Sequence, residues 1–194
     1  MSSHHFVKEG QEPALVILDQ LAFQHTESLL QWVPLILVAD YALENVLSWG
    51  IKIDVVLHGE YPLEMLEEAV RGHGPIQILK TENDQVITRA LEFLIRDEYD
   101  AVNLLINPRE EVFREVERSA HKLQVGIYND QEKWSLISSG KFEKWMPAGV
   151  ELSIRNDLPV QTEGLLQKGT QWETINSGIA AVRSESPFWI GETR

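Results

Sequence analysis

LILVADYALENVLSWGIKIDVVLHGEYP, residues 35–62, reads as strand, turn, helix, strand and loop. Leu35 to Ala39 is a short apolar run of the kind a buried parallel strand needs. Asp40 stands at its carboxyl end. Ala42, Val46, Leu47 and Trp49 follow at roughly helical spacing, and Gly50 is placed to stop the helix. Ile51 to Leu57 is a second apolar run, interrupted by Lys52 and Asp54. In an open α/β sheet, ligands sit beyond the carboxyl ends of the strands. Asp40 and the loop His58-Gly59-Glu60-Tyr61 are therefore expected at any site in this half.

Upstream, residues 1 to 12 form a polar arm, where the adjacent His4 and His5 read as solvated rather than metal-bound. Ala14 to Leu18 is the first strand, followed by Asp19 and Gln20. Thr26 to Trp32 reads as a short helix. Downstream, Leu63 to Arg71 is a helix whose Glu64, Glu67 and Glu68 form a solvated face. Ile76 to Leu79 is a core strand, and the polar link Thr81 to Asp84 is placed to cap the next helix. Val86, Ala90, Leu91, Phe93 and Leu94 give that helix its apolar stripe. Ala101 to Ile106 is a further strand, and Arg109 to Lys122 a highly charged helix with Val112, Val116 and Ala120 spaced by four.

The pattern changes near Leu123. Short strand-like runs follow: Gln124 to Tyr128, Trp134 to Ile137, Phe142 to Trp145, Val150 to Ile154, Thr174 to Ile175, Ile179 to Val182 and Phe188 to Ile190. Gly140, Pro147-Ala148-Gly149, Asn156-Asp157, Gly164, Gly169 and Asn176-Ser177-Gly178 punctuate them. The expected architecture is α/β: a Rossmann-like parallel-sheet domain over residues 1–122, then a small antiparallel β-sandwich over 123–194. Trp134, Trp145, Trp172 and Trp189 fall in the second part, where indoles fill a β core or an interface more often than they bind ligands.

Composition narrows the function classes. A net charge of -13 argues against nucleic acid, whose phosphates need clustered Lys and Arg. The absence of cysteine excludes disulfides and thiolate metal sites. No apolar run approaches the roughly 18 residues of a membrane span. The N-terminus lacks a basic start followed by an apolar core, so cytoplasm is the expected compartment. There is no P-loop, no GxGxxG and no His-x-x-x-His pair.

The sequence resembles the thiamine pyrophosphokinases. The resemblance rests on Val38-Ala39-Asp40-Tyr41-Ala42, Leu47, Gly50 to Leu57, Ala90 to Leu94, Phe142 to Gly149, Leu152-Ser153, Gly164-Leu165 and Asn176, in that order, from about residue 13 to the end. It implies transfer of a diphosphate group from ATP to thiamine, leaving AMP. It also implies Mg²⁺, a homodimer, and a β domain that helps hold thiamine. On that resemblance the catalytic candidates are Asp40, Glu60 and Asp84, the metal candidates Asp40 and Glu60, and the substrate-binding candidates Asn176, Ser177 and Trp172.

The acidic motifs depart from the family's pattern. Where the family has Gly-Asp-x-Asp, this chain has His58, Gly59, Glu60 and Tyr61. Its Thr-Asp falls on Gln85-Val86, and its Asp-His turn on Phe113-Arg114. Its Ser-Asn-Glu falls on Ile175-Asn176-Ser177. Of the site acids, Asp40 clearly stands in place. Diphosphate transfer builds charge that Mg²⁺ held by several carboxylates offsets. An inactive homologue that binds a small molecule or a protein is therefore the alternative to an active enzyme. For Asp40 itself, a structural cap and a ligand role both remain open.

Overall fold

The computed structural model describes residues 12–82, 85–120 and 122–194. The arm with His4 and His5, and Asp84, lie outside the described residues. The chain divides into two compact units, Met1–Val125 and Gly126–Arg194.

The first unit is built on five parallel strands, β1 (Ala14–Ile17), β2 (Ile36–Ala39), β3 (Val55–His58), β4 (Gln77–Lys80) and β5 (Ala101–Leu105). Their order is β4-β3-β2-β1-β5. Leu15, Ile17, Leu37 and Leu57 are fully buried, as parallel strands covered on both faces require. Each such side chain contributes about 2 kcal/mol on leaving water. Ile76 to Leu79, expected as a core strand, becomes β4 at the sheet edge, where Leu79 alone is buried.

The helices are α1 (Phe23–Leu30), α2 (Leu43–Leu47), α3 (Leu63–Ala69), α4 (Val86–Arg96) and α5 (Glu110–Ser119). Gly50 follows α2 with φ 67°, the left-handed conformation that lets a chain leave a helix. Of the link expected to cap α4, residues 83 and 84 lie outside the described residues. The N-cap residue of α4, Gln85, supplies no side-chain bond, and Thr81 turns its hydroxyl to the His58 carbonyl. Glu115 of α5 instead accepts the Thr88 N–H at 2.9 Å and the Thr88 hydroxyl at 3.0 Å. A long-range carboxylate thus serves the first turn of α4.

From β6 (Gln124–Tyr128), which enters the second unit at Gly126, the strands β6, β7 (Glu132–Ile137), β14 (Phe188–Thr193), β9 (Glu151–Arg155), β12 (Gln171–Thr174) and β11 (Leu165–Lys168) pair antiparallel in that order. A second sheet holds β8 (Lys141–Met146), β13 (Gly178–Arg183) and β10 (Gln161–Glu163). Met146, Ala180 and Val182 from one sheet meet Leu152, Leu165, Phe188 and Ile190 from the other in a single core. That is a β-sandwich. β10, β11 and most of β12 lie in residues where the sequence reading placed only Thr174–Ile175. Their residues are mostly polar and exposed, so alternation gave no apolar face to recognise.

Candidate functional site

The carboxyl ends of the parallel strands define the site of the first unit. Strand order reverses at β1, with β2 on one side and β5 on the other. Such a switch point opens a crevice beyond the strand ends. Here it is bridged. Asp19, just past β1, accepts the Asn107 N–H at 2.7 Å and the Asn107 side-chain amide at 2.9 Å.

Asp40 lies next along the sheet, at the end of β2 in a short 3-10 turn, Asp40–Ala42. It is buried. Its Oδ2 accepts the backbone N–H groups of Gly59 and Glu60 at 2.8 Å and of Tyr61 at 3.0 Å. Its Oδ1 accepts the Tyr41 N–H at 2.8 Å. Burial alone pushes the carboxyl pKa up, but the four N–H donors outweigh it and hold it below the ordinary value. The loop after β3 therefore folds its amides around the carboxylate. His58 Nδ1 is buried 3.6 Å from Asp40 Oδ2, without a hydrogen-bond partner among the described residues.

Tyr41 carries the convergence further. Its phenol is pushed up to about 12, first by burial and then by the charges of Asp19, Glu60 and Asp40, with Arg109 opposing them. These groups come from beyond β1, β2, β3 and β5, so four strand ends act on one ring. At the edge of the sheet, a cleft of about 350 Å³ opens between the end of β4 and the first turns of α4, lined by Lys80, Thr81, Gln85 and Arg89 among others.

Asp40 and Glu60 are thus together, through the Glu60 N–H. In the second unit, Asn176 and Ser177 share the exposed turn between β12 and β13. Ser177 Oγ accepts the Ala148 N–H at 3.1 Å, tying that turn to the loop after β8. Trp172 is half-buried on β12 and packs against the sandwich core. Buried Thr174 does more stitching than either turn residue: its hydroxyl donates to the Pro147 carbonyl at 2.6 Å and accepts the Val150 N–H at 2.8 Å. Sequence reasoning did not single out Asp19, Tyr41 or Arg109 as site residues. The position of Asp19 directly after an apolar strand was the available signal.

Among the described residues, no three His, Asp or Glu side chains gather closely enough to hold a metal ion. No described helix is long and apolar enough to cross a membrane.

Comparison with known proteins gives a likeness of structure. No family model and no curated protein sequence matches the chain. The thiamine pyrophosphokinase of Bacillus subtilis superimposes with a TM-score of 0.70 at 9% identity, covering 93% of this chain and 98% of that one. The enzyme of Geobacillus thermodenitrificans gives 0.69 at 14% identity, covering 93% and 97%. Yeast thiamin pyrophosphokinase gives 0.69 at 10% identity, covering 97% and 88%. This chain has the fold of the thiamine pyrophosphokinases, a Rossmann-like parallel-sheet domain followed by an antiparallel β-sandwich.

Proposed function

We propose that this chain is a thiamine pyrophosphokinase-like protein that binds thiamine or a related small molecule, and that its transfer of diphosphate from ATP is absent or far slower than an enzyme's. The observation that carries the reading is the engagement of Asp40. It is the one site acid that the resemblance keeps, and its two oxygens already accept four backbone N–H groups. A carboxylate so engaged has little left for Mg²⁺, which favours near-octahedral oxygen ligation. Glu60 adds one further acid, and among the described residues no three acids or histidines gather to fit a Mg²⁺ anchored by several carboxylates. No catalytic step is therefore routed through the metal. The fold, resting on apolar strands and helix stripes, is indifferent to that loss.

Two further parts of the reading rest on the sequence, the first on its resemblance to the family and the second on its composition. The protein pairs as a homodimer through its β-sandwich, where Trp145 and Ile179 sit opposite each other on β8 and β13 and are both exposed. It works in the cytoplasm. A second reading, an active enzyme with displaced acids, has one observation in its favour. Asp19, Asp40 and Glu60 all act on the Tyr41 ring, so three acids do come to one end of the sheet.

The test is AMP release from ATP and Mg²⁺ by purified protein, with and without thiamine, alongside thiamine titration by calorimetry. The reading expects a calorimetric signal for thiamine and no thiamine-dependent AMP. Turnover above about 0.01 s⁻¹, far below common enzyme rates, overturns the loss of transfer. Absence of any thiamine heat overturns the ligand.

A further inference from the structure

The helix α3 is almost wholly unpartnered. Of its seven residues, Leu66 alone is buried. At about 100° per residue, Leu63, Leu66, Val70, Ala69 and Met65 share one half of the helix circumference, and Glu64, Glu67 and Glu68 fall together on the other. A helix with such a division ordinarily buries its apolar half. Here Leu66 docks on the body, while Leu63 is 45% exposed and Met65 59%. Tyr61, in the loop two residues before the helix, is 41% exposed. The apolar flank of Met65 and Ala69 therefore faces solvent beside Glu68 and Glu64, with exposed Tyr61 just ahead of the helix.

Charge selects the occupant. Glu68 pairs with Arg71 at 2.7 Å, but Glu64 and Glu67 form no ion pair among the described residues. A second copy of the chain would set like charges against like across a two-fold axis. We propose that α3 and Tyr61 form a docking surface for a basic amphipathic segment of a protein partner. Its apolar side chains cover Met65 and Ala69, and its Lys or Arg side chains meet Glu68 and Glu64, which border that flank. Such helix-against-helix recognition uses apolar anchors spaced by three and four, with charges at the rim. The inference stands on α3 alone and holds whether or not diphosphate transfer occurs.

The probe is a labelled Leu/Lys amphipathic peptide of about 15 residues, long enough to form a helix. A Leu/Glu peptide of the same pattern is the control. Fluorescence anisotropy with the full chain is expected to show saturable binding of the Lys peptide alone. Met65→Ser, which keeps the charge, is expected to weaken it about tenfold, as loss of one buried side chain implies. Glu64→Gln with Glu68→Gln is expected to weaken it and to flatten its salt dependence. Hydrogen exchange is expected to slow over residues 63–69 on binding. All of these variants alter exposed side chains, and circular dichroism checks that they fold. Unchanged affinity in Met65→Ser overturns the proposal, because the attraction is then only the general negative charge. No binding, equal binding of the Leu/Glu peptide, or self-association abolished by Met65→Ser overturns it as well.

Discussion

Asp40 Oδ2 accepts the Gly59 N–H at 2.8 Å and so locks the end of β2 to the loop after β3. With Glu60 and Tyr61 giving their N–H groups to the same oxygen, one buried carboxylate sets the path of that loop. Asp40→Asn offers one accepting oxygen and turns an amide toward these donors. The expected loss is about 3 kcal/mol of stability, the scale of hydrogen bonds to a charged group lost without replacement. Urea denaturation of the two proteins at neutral pH measures it. A loss below about 0.5 kcal/mol would mean that the loop holds itself in place.

The same carboxylate gives a pH dependence of definite sign. Its pKa is lowered in the folded protein, because the backbone donors outweigh burial. The stability it contributes is fully present above the unfolded value, about 3.9, and is lost as pH falls through the lower folded value. The Asp40→Asn protein lacks this contribution. The stability difference between the two is therefore expected to shrink as pH drops below about 4. Melting temperatures of both, measured from pH 6 downward, check it.

Tyr41 gives a second titration, at the opposite extreme. Its phenol is pushed up to about 12, by burial first and the charge of Asp19 next. Ultraviolet titration of the protein against Tyr41→Phe is expected to show one tyrosine ionising well above the ordinary value of about 10. Asp19→Asn is expected to bring it down. The stability tied to this raised pKa is complete below the unfolded value of about 10 and is lost as pH rises through the folded value.

Glu115→Ala removes the carboxylate that caps α4 from α5. The Thr88 N–H and hydroxyl then lose an acceptor, and the expected cost is about 1–2 kcal/mol, the range of a lost N-cap. Glu115→Gln keeps one accepting oxygen and is expected to cost less. Thermal unfolding of both variants ranks them, and equal costs would count against the cap.

Gly140 tests the β-sandwich. Its φ is 69°, and a Cβ built there would lie 2.5 Å from the Ser184 carbonyl oxygen, a backbone atom that cannot swing aside. Gly140→Ala is expected to cost about 2 kcal/mol or more, through left-handed strain and this clash together. Gly149→Ala shares the positive φ but meets nothing within 4 Å. It is expected to cost the strain alone, so the difference between the two melts isolates the clash.

Elements that bury apolar side chains at a regular period were legible along the chain. Ile36–Ala39 and Val55–His58 are strands because continuous apolar runs suit a sheet covered on both faces. The stripe of α4 from Val86 to Leu94 is buried as its spacing dictates. Asp40 was placed at a strand end by the same logic. What Asp40 does there was decided by tertiary structure. Three of its four partners are backbone N–H groups 19 to 21 residues away, and every residue but proline carries that donor, so no side-chain pattern marks them. The same holds for Glu115 across 27 residues, and for Asp19 with Asn107 across 88. Polar strands such as β10 were equally hidden, because pairing within the sheet, and not an apolar period, makes them strands. Periodic burial is a local property written along the chain, whereas long-range hydrogen bonds exist only once the fold has brought their ends together.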